Sequence, residues 1–70
     1  MTDHNEHLIE TEQLVRDNLV RVSRQASLVE ELERLGHRRE AREAKALLRT
    51  FEDTLTLSRE HLQRERDSHD

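Results

Sequence analysis

Apolar side chains recur at intervals of three and four residues in both halves of this chain, and a single glycine separates the halves. In the first half Leu8, Val15, Leu19, Val22, Ala26 and Val29 follow at separations of 7, 4, 3, 4 and 3. In the second half Ala41, Ala44, Leu48, Phe51, Leu55 and Leu62 repeat the pattern. A helix turns once in about 3.6 residues, so this spacing lays one apolar stripe along one helix face; a strand needs alternation at every second residue. Glu12 and Ser58 are the weak positions in the two stripes. Proline is absent and Gly36 is the only glycine, so nothing else punctuates the chain.

Gly36 is suited to end the first helix, because glycine takes the left-handed C-cap conformation without Cβ strain. His37 then caps the second helix, with Glu40 placed like the acidic partner of a capping box. Asp3, with Glu6 three residues on, makes a start for the first helix. The spacing therefore predicts one domain over residues 1–70: helices at about 4–35 and 38–67, a turn at 36–37, and fraying termini. So short a connection makes the helices antiparallel neighbours. With contacting residues summing to about 73, Val29 meets Ala44, Val22 meets Phe51, Ala26 lies beside Leu48, and Leu19 pairs with Leu55. Toward the open end Val15 meets Ser58 and Leu62 finds Glu12, so the seam is expected to loosen there.

The stripes sit in a chain of which 40% is charged. Leu, Ile, Val and Phe still supply 17 of 70 residues, above the roughly 20% below which disorder is the default. A net charge of −4 swells the chain little. Absence of cysteine excludes a disulfide scaffold and thiolate chemistry. No apolar run approaches a membrane span, and the acidic N-terminus lacks a signal-peptide core, so a cytoplasmic protein is expected.

One hairpin seam of Val, Leu and Ala is a small core for 70 residues. Leu14, Leu28, Leu32 and Leu35 flank it on the first helix, and Leu47, Thr54 and His61 share a shoulder of the second. That widened stripe points to self-association, with His61 inside the interface. Residues 1–20 carry one base and five acids, a net of −4; residues 21–49 carry eight and five, +3; residues 50–70 carry three and six, −3. Two hairpins with their turns at opposite ends would set positive beside negative. The expected fold class is all-α, an antiparallel two-helix hairpin dimerising into a four-helix bundle.

Arg38, Arg42, Lys45 and Arg49 recur at helical spacing beside the turn and offer anion or nucleic-acid contacts. Interleaved Glu40 and Glu43, the negative net charge and a single aromatic residue weigh against base recognition. Surface ion pairs such as Glu30 with Arg34 and Arg39 with Glu43 account for much of this charge. His4 and His7 are three apart and His69 falls near them at the open end, a combination that could hold a transition metal; three solvated histidines are the simpler reading, and no metal or other cofactor is expected. No nucleophile elbow or phosphate loop occurs, and two parallel rods offer no deep pocket for a small-molecule substrate, so an enzyme is not expected.

The run of Gln25, Leu28, Val29, Leu32, Gly36 and His37, then Ala44, Leu47, Leu48, Phe51, Glu52 and Leu55, resembles a group of small uncharacterised helical-hairpin proteins of alphaproteobacteria. The resemblance spans about residues 20–62 and implies the hairpin and a bacterial source, with no activity to carry over. The shape is also similar to Rop-type RNA-binding hairpin dimers, at the level of fold alone. Together these readings favour a non-catalytic interaction or regulatory module acting as a homodimer. The alternatives are a hairpin that takes a helix of another protein, and a nucleic-acid-binding dimer using the Arg-rich turn.

Overall fold

The computed structural model describes residues 4–68, with side chains from residue 6. Helix α1 spans His4–Arg34 and helix α2 spans Arg38–Ser68, 31 residues each. Among the described residues there is no strand. The helices lie side by side in a rod 51 Å long and 16 Å by 14 Å across. Neither is long and apolar enough to cross a membrane.

The turn is a Schellman motif. Gly36 has φ of +79°, the left-handed region. Its N–H bonds the Glu33 carbonyl at 3.1 Å, and the His37 N–H bonds the Leu32 carbonyl at 2.9 Å. The His37 carbonyl then accepts the first bond of α2, from Ala41 N–H at 2.8 Å. His37 thus begins α2 through its backbone. The expected capping box does not form: the His37 N–H is already taken by Leu32, and Glu40 stands 3.9 Å from the His37 ring. Asp3 lies outside the described residues.

Burial follows an unbroken three–four alternation on both helices. On α1 the inward residues are Leu8, Thr11, Val15, Asn18, Val22, Gln25, Val29 and Leu32; on α2 they are Ala41, Ala44, Leu48, Phe51, Leu55, Ser58, Leu62 and Glu65. Two expectations change accordingly. Leu19 is 47% exposed and outside the seam, while its neighbour Asn18, at 5%, takes the position opposite Leu55. Three residues on from Val15, the face that points at α2 belongs to residue 18; residue 19 is rotated about 100° further round. Leu32 is half-buried in the seam and so is not part of an exposed shoulder. Ala26 is half-buried at the seam's edge.

The open end is packed, not splayed. Ser58, Leu62, Glu65 and Thr11 are all buried there. Polar side chains along the seam bond within the hairpin: Thr11 Oγ1 donates to Glu65 Oε2 at 2.9 Å, Ser58 Oγ to the Leu55 carbonyl at 2.8 Å, and, nearer the turn, Gln25 Nε2 to the Ala44 carbonyl at 3.0 Å. The Asn18 amide nitrogen is buried with no hydrogen-bond partner. The seam therefore carries much polar material for its size, which limits what apolar burial alone contributes to stability.

Candidate functional site

Each helix has two flanks beside the seam, and in an antiparallel pair like flanks face each other. The flank of Glu12, Leu19, Ala26 and Glu33 on α1 faces Lys45, Glu52, Arg59 and Arg66 on α2. Two ion pairs cross it: Lys45 Nζ to Glu33 Oε2 at 2.8 Å, and Arg66 to Glu12 at 3.9 Å. This side of the rod is charged and tied together.

The other flank is different in kind. On α1 it carries His7, Leu14, Arg21, Leu28 and Leu35; on α2 it carries Glu40, Leu47, Thr54 and His61. Leu14, Leu28, Leu35 and Leu47 are 46–60% exposed, though each is a large apolar side chain. Leu57, 63% exposed, extends the patch between Thr54 and His61. The Arg21 guanidinium lies 5.5 Å over the Phe51 ring, covering the seam where no leucine does. An apolar strip along one side of a charged rod is the kind of surface that marks an interface.

At the open end this flank finishes in a cluster. His61 and Glu65 are one helical turn apart on α2, and His7 reaches them from α1. Glu65 Oε1 lies 2.7 Å from His61 Nε2 and 3.0 Å from His7 Nε2. The rings are perpendicular, with centroids 6.3 Å apart. Of the His4, His7 and His69 combination, His69 and the His4 side chain lie outside the described residues, and His7 stands with His61 and Glu65. A signal for this cluster was present. His61 and Glu65 are four apart, and a register near 73 carries His7 to Arg66, beside Glu65.

The basic stripe divides. Lys45 is paired with Glu33, while Arg38 and Arg42 line a shallow hollow with them next to the turn. Arg38, Arg42 and Arg49 make no ion pair among the described residues, whereas Arg39 bridges Glu43 at 3.5 Å. Arg34 bridges Glu31 at 3.8 Å instead of the expected Glu30.

Comparison with protein-family models, with curated proteins and with solved structures returned no match.

Proposed function

We propose that this chain is a non-catalytic interaction or regulatory module that pairs with a second copy of itself through the Leu14–Leu28–Leu35–Leu47 flank, forming an antiparallel four-helix bundle. The observation that carries the reading is the asymmetry of the rod: one flank is closed by ion pairs, the other holds four half-exposed leucines. A face 51 Å long and 16 Å wide offers on the order of 800 Å², the area a stable pairing covers on each partner. Burying those leucines supplies the apolar area that a polar seam lacks.

Charge favours pairing with the turns at opposite ends. The middle of the chain, around the turn, carries +3, and the two segments at the open end carry −4 and −3. The opposed arrangement sets each turn against the partner's termini, and the aligned one stacks like charges. A cysteine-free chain fits a cytoplasmic setting. Light scattering coupled to size-exclusion chromatography tests the pairing: a two-chain mass at micromolar concentration supports it, and a one-chain mass up to millimolar concentration rejects it. In the second case the leucine flank is free for a helix of a different protein.

A nucleic-acid reading rests on Arg38, Arg42 and Arg49, which have no carboxylate partner among the described residues. RNA or DNA affinity that falls with salt, and falls again with Arg38→Glu and Arg42→Glu, would favour it; binding unmoved by that pair of changes would reject it.

A further inference from the structure

We propose that His7, His61 and Glu65 form a binding site for a divalent transition metal, zinc being the closest match to the donor set. The proposal does not depend on dimerisation, since all three ligands come from one chain. Two imidazole nitrogens and one carboxylate are a donor set that takes zinc with further positions left to water, and oxygen-preferring magnesium or calcium would not select it.

The geometry supports the choice of ligands. The three donor atoms all lie within 4.8 Å of one another. The two nitrogens stand 2.7 and 3.0 Å from Glu65 Oε1. Ligand atoms around a tetrahedral zinc are separated by about 3.3 Å, given bonds of about 2.0–2.1 Å. Each nitrogen would therefore move away from Glu65 Oε1 by roughly 0.3–0.6 Å to share a tetrahedral ion. The half-exposed histidine rings can swing that far, and their open side leaves room for water ligands.

Glu65 is set into the seam behind the two rings. Its residue is 8% exposed. Its Oε1 is buried, with the two histidine Nε2 atoms near it, an ion pair when a ring is protonated, but no hydrogen bond of good geometry. A buried carboxylate oxygen without a donor is costly, and a cation on its open lone pair would remove that cost. The other oxygen, Oε2, is held by the Thr11 hydroxyl at 2.9 Å. Thr11 is itself 5% exposed, so it fixes the carboxylate's orientation from behind, as partners of metal-ligating carboxylates do. A surface pair of histidines would show neither the buried carboxylate nor its buried positioning residue.

Isothermal titration of the chelator-treated full chain with zinc tests the proposal, with helicity recorded for every variant. One zinc per chain is expected. His7→Ala, His61→Ala and Glu65→Gln are each expected to weaken binding at least tenfold while helicity holds. Thr11→Val, which removes the hydroxyl shared between Glu65 Oε2 and the His7 carbonyl, is expected to weaken it less than loss of a ligand. A chain carrying both His4→Ala and His69→Ala is expected to bind as the parent does. Cobalt gives a second readout, since its visible absorption should change when any of the three ligands is replaced. The proposal is overturned if zinc does not bind, if Glu65→Gln and His61→Ala bind as tightly as the parent, or if affinity follows His4 and His69 instead.

Discussion

Lys45 on α2 reaches Glu33 on α1 across 2.8 Å, and the opposite flank at this level holds Leu28 and Leu47 with no charge between them. The pair shows how an antiparallel hairpin divides its labour. On one side the helices are tied to each other by opposite charges, with Arg66 and Glu12 repeating the arrangement near the open end. Exposed pairs of this kind contribute only about 0.2–1 kcal/mol each, so they select alignment more than they hold the fold. The other side leaves its apolar groups uncovered.

The seam position of Asn18 has a measurable consequence. Its amide nitrogen is buried without a partner, opposite Leu55. Asn18→Leu replaces it with an apolar group of similar size and is expected to raise stability to urea by about 1–2 kcal/mol. A variant less stable than the parent would mean that burying the amide nitrogen does not carry this cost.

Leu55 and Leu19 separate seam from surface. Leu55 is 7% exposed, and Leu55→Ala is expected to cost about 2–3 kcal/mol through lost burial and the cavity left behind. Leu19→Ala, at a site 47% exposed, is expected to cost less than about 1 kcal/mol. Urea unfolding of both variants checks this, and equal costs would return Leu19 to the core.

Gly36 has φ of +79°, and an added Cβ would meet nothing within 4 Å. Gly36→Ala therefore introduces backbone strain and no clash, with an expected cost of about 1–2 kcal/mol. Gly36→Asn should cost less, because asparagine tolerates the left-handed region. Thermal unfolding followed by helicity measures both, and an unchanged midpoint for the alanine variant would contradict the Schellman turn.

How far the fold can be read from the chain follows from these residues. The turn was legible because Gly36 is the only helix breaker in 70 residues. The apolar stripe was legible on α2, where alanine, leucine and phenylalanine hold six of the eight seam positions. On α1 it was blurred, because Thr11, Asn18 and Gln25 hold alternate inward positions and an apolar count slides to Leu19 instead. These polar residues face inward only because partners across the hairpin satisfy two of them, and such partners are invisible without the register. Glu65 is the extreme case. In a chain with 16 acidic residues it reads as one more solvated carboxylate, yet Thr11, 54 positions away, bonds it in the seam.

The leucine flank is the surface proposed for the meeting of two copies. Sedimentation equilibrium on the full chain, with helicity followed over the same concentrations, tests it most directly when the two flanks are compared. The parent and Leu19→Glu, altered on the ion-paired flank, are expected to show the mass of two chains. Leu28→Glu combined with Leu47→Glu is expected to show the mass of one, with lower helicity on dilution. A parent that stays at one chain with full helicity, or a two-chain mass that survives the paired glutamates, would mean that the leucine flank does not pair two copies.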